Sequence, residues 1–340
     1  MKRVGIIFLG FCFISMMAGG PVLAQDKTKV EFCGYSVGSP QYIWTAAHAN
    51  LVNKYSKAVM ATPAFCGAET AVVKMLGQGK TQFGEVCALE LEFAKQGLWG
   101  FKKDPKQGKE FYEKIRAVYF QPYGTIEMVT LAESGIKSFK DFKGKKISFG
   151  SAAHTGHPIM KYALEAEGLT EGKDYTAVYL SCGSGHGPDA VADRTCAACY
   201  CISPGGMPSV MNLSTLNKIR IVGFSSSDVQ KKFFAMMDEK FGQNHALRPS
   251  VSPPGIYGKN QVNTEPTLSV AYDLIWATRA DLDANVVYEV TKALFDHLDE
   301  FYQTAGDPSR NVTLKDAVKN IPLPIHPGAE KYFREKGVLK

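Results

Sequence analysis

The sequence predicts an α/β protein built as two lobes. Three observations lead there. Strand-like and helix-like segments alternate along almost the whole chain, the pattern of parallel sheets with helices on both faces. At 340 residues the chain exceeds what one hydrophobic core usually organises. A long apolar segment, Leu268 to Ala277, comes late and suits a strand that runs back between lobes.

The first 24 residues read as a secretory leader. Lys2 and Arg3 supply positive charge, Val4 to Met17 an apolar core, and Val22-Leu23-Ala24 a small-x-small cleavage pattern. Gly19, Gly20 and Pro21 interrupt the run before it reaches membrane-spanning length. Cleavage after Ala24 leaves 316 residues, destined for the periplasm, and lowers the formal charge from +6 to +4. That mild, dispersed charge does not fit a nucleic-acid binder, which carries a dense basic patch.

The elements follow in order. Val30 to Tyr35 is a strand that runs into a glycine loop, Gly34 to Gly38, and then a helix from Ile43 to Tyr55. Ala58 to Thr62 is the next strand, Cys66-Gly67 the next loop, and Ala68 to Leu76 the next helix. Phe83 to Ala88, Arg116 to Phe120 and Thr125 to Leu131 are strands. A second unit begins near Ser138, with a strand from Lys145 to Phe149, a small-residue loop from Gly150 to His157, and a helix opened by Pro158. Ala177 to Leu180, Cys196 to Ile202 and Ile219 to Phe224 are further strands, with a helix at Pro188 to Asp193. Asn285 to Thr304 reads as one helix, with Val286, Val290, Leu294, Leu298 and Tyr302 along one face. Ser203 to Pro208 and Pro249 to Gly258 are breaker clusters that suit loops or hinges. The lobes are expected at 25–123 with 268–340, and at 124–267.

Three places share one arrangement of strand, small-residue loop and helix start: Gly34 to Gln41, Ala64 to Thr70, and Gly150 to His157. A helix start offers unpaired N–H groups and a partial positive charge, and small residues let a guest approach them. In an α/β sheet such loops lie at the carboxyl ends of strands, where ligands bind. The expected solute is therefore small and anionic, carboxylate or amino-acid-like. The expected contacts are Gly38, Ser39 and Tyr42 from the first loop, Cys66, Gly67 and Ala68 from the second, and His154, Thr155, Gly156 and His157 from the third. Cys87, Tyr123 and Gly205 complete the set. Tyr42, Trp44, Tyr119, Tyr123 and Tyr257 either line the cavity or pack in the core.

Dinucleotide, P-loop, zinc-protease and serine-hydrolase motifs are all absent from the sequence, which argues against an enzyme. No cofactor is expected. The mature chain keeps seven cysteines, an odd number, so not all pair within one chain. Several are expected to be buried and free. Cys196, Cys199 and Cys201 lie on an apolar strand and suit core packing or one disulfide; a metal or redox site with His186 is the alternative.

Several longer motifs resemble one family. Ser134 to Lys146, the loop Gly150 to Gly156, Gly205-Gly-Met-Pro208, the late helix Tyr288 to Leu298 and the ending Ile325 to Gly337 are similar to the TAXI class of substrate-binding proteins, which serve tripartite ATP-independent periplasmic (TRAP) transporters. The resemblance spans nearly all the mature chain. It implies a type II periplasmic-binding-protein fold, a hinge of crossing strands, a monomer that closes on its solute, and delivery to TRAP permease subunits; an ABC importer or a sensor is the alternative partner. Relatives bind small acids. The departures fall at the cleft: Gly38-Ser-Pro-Gln-Tyr-Ile-Trp44, Gln82, Cys87-Ala88 and Cys196-Ala197 replace more polar patterns. They put the solute's identity outside what the resemblance carries.

Overall fold

The computed structural model describes residues 26–340 apart from 36, 38, 151–153 and 244. The leader and the expected contact Gly38 lie outside the described residues. Ten strands form one mixed sheet in which two strand groups are joined through a pair of long strands, giving the two-lobed α/β architecture.

The first group is a βαβ array. β1 (Thr28–Gly34) lies between β2 (Val59–Phe65) and β3 (Phe83–Cys87), parallel to both. α1 (Pro40–Tyr55) connects β1 to β2. Ser39 caps it by accepting from the Tyr42 amide at 3.3 Å, and Pro40 occupies the first turn, where no N–H is needed. Its buried face carries Trp44, Ala47, His48, Leu51 and Val52, at helical spacing. α2 (Glu69–Gly77) connects β2 to β3, and α3 (Ala88–Gln96) and α4 (Pro105–Lys114) follow β3.

The joining pair is β4 (Ile115–Leu131) and β10 (Thr267–Arg279). They run antiparallel from Ile115 opposite Arg279 to Thr125 opposite Ala271. β10 also pairs antiparallel with β3, and the far half of β4 pairs with the second group. The sheet is thus mixed where fully parallel sheets were expected. A hinge made of crossing strands must reverse direction, and reversal makes antiparallel pairs. β4 is also one strand where two were expected. Pro122 falls in a register shift between Tyr272 and Leu274, where no ladder hydrogen bond is required of it. Asp273 fills that shift: its Oδ1 accepts the Tyr123 amide at 3.0 Å and its Oδ2 the Arg248 Nε at 2.9 Å.

The second group continues outward from β4. β7 (Ala198–Ser203) pairs antiparallel with β4 and parallel with β5 (Lys146–Ser148), which pairs with β6 (Thr176–Val178). β8 (Ile219–Val222) takes another segment of β4, and β9 (Leu247–Ser252) pairs with β10. α5 (Gly156–Ala166) and α8 (Ser227–Phe241) pack together within the main core. α6 (His186–Ala192) and α7 (Pro208–Leu216) cover a separate core with Val129, Val191, Val210, Leu213, Ile219 and Ile221. Pro249 to Ser252, expected as loop, belongs to β9; a strand whose one partner is β10 tolerates proline.

The single late helix is two, α9 (Ala284–Phe295) and α10 (Leu298–Ala305), followed by α11 (Pro327–Glu335) near the chain end. The break lies at Asp296. Its carboxylate accepts Tyr332 of α11 at 2.8 Å and pairs with Lys336 at 2.7 Å, while His297 stacks on Tyr55. Tertiary partners end this helix where periodicity alone continues it.

Four of the mature cysteines are paired, and three are buried and free, as several were expected to be. Cys33 bonds Cys66 and Cys182 bonds Cys201; Cys87, Cys196 and Cys199 remain thiols. The first bridge ties the end of β1 to the chain just after β2. Closing 33 residues of chain restricts the unfolded state, so replacing both Cys33 and Cys66 by Ser should lower unfolding stability by about 2–4 kcal/mol in urea titration.

Candidate functional site

A cavity of about 360 Å³ lies between the two strand groups. Four loops wall it. Tyr35, Ser39 and Gln41 come from the end of β1 and the start of α1; Phe65, Gly67, Ala68 and Glu69 from the turn into α2. Gly150 and His154 come from the turn into α5, and Ser181, Cys182 and Gly183 from the loop after β6. Tyr200, Cys201 and Ile202 of β7 form the floor beside Met207. The three loops singled out from sequence therefore face one shared space. Gly67 has φ +94°, a left-handed conformation that only glycine adopts without strain, and it turns the chain from β2 into α2.

The expected contacts divide. Ser39, Gly67, Ala68 and His154 are in this wall. Tyr42 is half-buried at the start of α1, outside it. Cys66 is in its disulfide, and Cys87 is wholly buried at the start of α3, where burial pushes its thiol far up. Tyr123 is buried on β4 with its ring against Trp44. Gly205 packs near Pro308. Gly156 is a close-approach position, but for Tyr200: a Cβ there would sit 2.5 Å from the tyrosine ring. Thr155 is 1 % exposed and donates to Glu90 at 3.2 Å. His157 pairs with Glu171 at 3.2 Å and lies against Trp99. Thr155 and His157 instead line a second cavity of about 460 Å³, with Lys74, Glu90 and Trp99. Among the aromatics, Trp44 bonds the Ala305 carbonyl, Tyr119 packs on Trp276, and Tyr257 bonds Glu127, so these belong to the cores.

Sequence reading missed Tyr35, Gln41, Glu69, Tyr200, Met207 and the loop at Ser181 to Gly183. One signal was present: Cys182-Gly-Ser-Gly-His-Gly187 repeats the pattern of strand, small residues and helix start. Tyr200 had no local signal, because β7 reads as an ordinary apolar strand.

The polar chemistry of the wall centres on Glu69, which is fully buried. Its Oε1 lies 3.3 Å from His154 Nε2 and accepts from the Tyr272 hydroxyl at 3.4 Å; its Oε2 has no hydrogen-bond partner among the described residues. His154 Nδ1 accepts the Gly156 amide at 2.9 Å, so the ring proton sits on Nε2, facing Glu69. With Nδ1 committed to that amide, the nitrogen that could accept a proton is occupied. Cys182 and Cys201 are spent in a disulfide, so the wall offers no thiol nucleophile from them. The cluster Glu31, Cys33 and Cys66 has ligand types for a metal, but its two sulfurs are bonded to each other. The alternative of a metal at Cys196, Cys199 and Cys201 loses Cys201 in the same way.

Behind the wall lie two more acids. Burial pushes the Glu85 carboxyl up to about 8 and the Glu90 carboxyl up to about 7. Glu90 accepts from Thr70 at 2.5 Å and from Thr155 at 3.2 Å, joining α3 to the turn before α5. No lysine or arginine lines the cavity among the described residues. The anionic solute expected from amide-rich loops therefore meets a wall whose one buried ionisable acid is unpaired by any cationic side chain. For Glu85 the pH dependence has a definite sign. Unfolded it ionises near 4.5 and folded near 8, so across that window the unfolded chain releases a proton that the folded chain keeps. Its contribution is fully present below 4.5 and is lost as pH rises through 8. Glu85→Gln should therefore raise stability over the parent by a few kcal/mol more at pH 8 than at pH 4.5, on the order expected from the shift, in paired urea denaturations. A gap that does not change with pH would refute this.

Known proteins of similar outline include three solved structures. The periplasmic aliphatic sulphonate binding protein SsuA from Escherichia coli is 12% identical, with a TM-score of 0.46 over 91% of this chain and 79% of that one. A putative L-cystine ABC transporter from Listeria monocytogenes is 14% identical, with a TM-score of 0.46 over 86% and 99%. A TRAP periplasmic solute binding protein from Sulfitobacter sp. NAS-14.1, with bound β-D-galacturonate, is 11% identical, with a TM-score of 0.45 over 91% of each chain. The family profile that matches covers residues 35–337, almost the whole described chain. By that match this protein belongs to the NMT1-like family.

Proposed function

We propose that the chain is an extracytoplasmic solute-binding protein that encloses a small organic molecule between two lobes and passes it to a membrane permease. One observation carries this reading: four loops from both strand groups converge on a single cavity of about 360 Å³, within the size range of small-molecule sites. The lobes divide at 25–123 with 268–340 against 124–267, because β4 and β10 are the strands that join the two groups. A pair of strands is a thin connection, and lobes joined that way rotate about it as a hinge.

The compartment follows from two features of different kind. The first 24 residues carry the pattern of a cleaved leader. Two disulfides in a chain of this size fit an oxidising environment. The wall supports capture over catalysis, since its histidine and two of its cysteines are already committed. The protein acts as a monomer with a permease of the TRAP type; the TAXI-like ending, Ile325 to Gly337, favours that partner over an ABC importer. That ending forms α11, packed on α9.

The test uses purified chain from Gln25 to Lys340 in a thermal-shift screen of carboxylates, amino acids, amines and sugars. A solute that binds only the folded state at about 100 times its dissociation constant adds about 2.7 kcal/mol and raises the melting temperature visibly. Flat melting curves across every class would sink the reading. In the same assay Gly156→Val should weaken capture of any solute that registers, because the added atoms drive the Tyr200 ring into the cavity floor.

A further inference from the structure

Resting on the solute-binding reading above, we infer that the captured molecule carries a protonated amine, and that the carboxylate of Glu69 selects it. Glu69 belongs to the cavity wall and is 0 % exposed. Its Oε2 is sealed from water and has no hydrogen-bond partner among the described residues. A buried carboxylate that is neither hydrated nor paired is costly, so such a group either takes up a proton or is matched with a cation.

Each compensation available within the chain falls short of a counter-ion. His154 Nε2 lies 3.3 Å from Oε1. Becoming an imidazolium would cost His154 the amide of Gly156, which now occupies Nδ1. Tyr272 donates a long bond to the same oxygen, not to Oε2. The first turn of α2 supplies a partial positive field, about half a charge spread over several amides. The other acidic groups nearby, Glu85 and Glu90, add no positive charge. The positive charge that would keep Glu69 ionised therefore has one remaining source, the molecule admitted to the cavity.

The rest of the wall suits an ammonium group. Tyr35 and Tyr200 line it from opposite sides, one from the end of β1 and one from β7, and aromatic faces attract cations. Ser39, Gln41 and Ser181 add acceptor oxygens. The first turn of α2, which has no side-chain cap, offers its amides to a carboxylate, so a zwitterion fits as well as a simple amine. A molecule with negative charge alone finds those amides but no lysine or arginine, among the described residues of the wall, to offset repulsion from Glu69.

The experiment measures affinity by calorimetry and thermal shift for two carbon skeletons in three charge forms: butylammonium, 4-aminobutyrate and butyrate; then phenethylammonium, phenylalanine and 3-phenylpropionate. The inference expects binding by an amine or zwitterion, none by its matched carboxylate, and a loss of at least about tenfold in Glu69→Gln. The comparison among charge forms uses the unaltered protein, so it holds whether or not the variant folds. Carboxylates binding while amines do not would overturn the inference and leave the solute-binding reading standing. Amine affinity unchanged in a folded Glu69→Gln would overturn it equally. Silence from every class in the broader screen would remove both.

Discussion

Everything in this molecule hangs on the antiparallel ladder between β4 and β10. Those two strands are the backbone of both lobes, so their register decides which residues meet across the cleft. The ladder also carries a local shift. Asp273 stands where the pairing slips and accepts the Tyr123 amide that the slip would otherwise strand. The same carboxylate holds Arg248 of β9, so the shift is anchored to the edge of the sheet as well. Tyr272, next along β10, is thereby placed to donate to Glu69. One irregularity in a ladder thus reaches the cavity wall in two steps.

The walls themselves are stiffened by two disulfides that act at the mouths of loops. Cys33 and Cys66 clamp the carboxyl ends of β1 and β2, just before the turns that supply Tyr35 and Gly67. Cys182 and Cys201 clamp the loop after β6 to the floor strand. Loops built of glycine and serine are the parts of a chain that lose most entropy on ordering. Tying their ends covalently reduces what remains to be lost when a solute arrives, which is how a pre-formed site gains affinity.

The lobes are also in direct contact beside the cavity. Thr155 donates to Glu90, His154 faces Glu69, and Phe93 meets Phe241 edge-on at 5.4 Å. On opening, the hydrogen bonds would be exchanged for bonds to water, at small net cost, while the aromatic pair would lose its burial. The contact between the lobes is therefore held by modest terms.

The chain by itself determined whatever local chemistry can decide. Alternation of strand and helix patterns, the caps at Ser39 and Asp283, and the glycine turns at three helix starts are written in short stretches, because a cap or turn needs only neighbours a few residues away. Those stretches also named three of the loops that surround the cavity. What needed distant partners was decided only in three dimensions. Two expected strands are one, because β10 supplies a register shift that holds Pro122 within the ladder. Periodicity ran through Asp296 until α11 brought Tyr332 and Lys336 to end the helix there. Cysteine count could not pair Cys182 with Cys201, and nothing near Glu69 in the chain announced that it would be buried facing His154 with an oxygen left unmatched. Burial and charge pairing depend on which residues the fold brings together across long chain separations, and that is set by the packing of whole lobes.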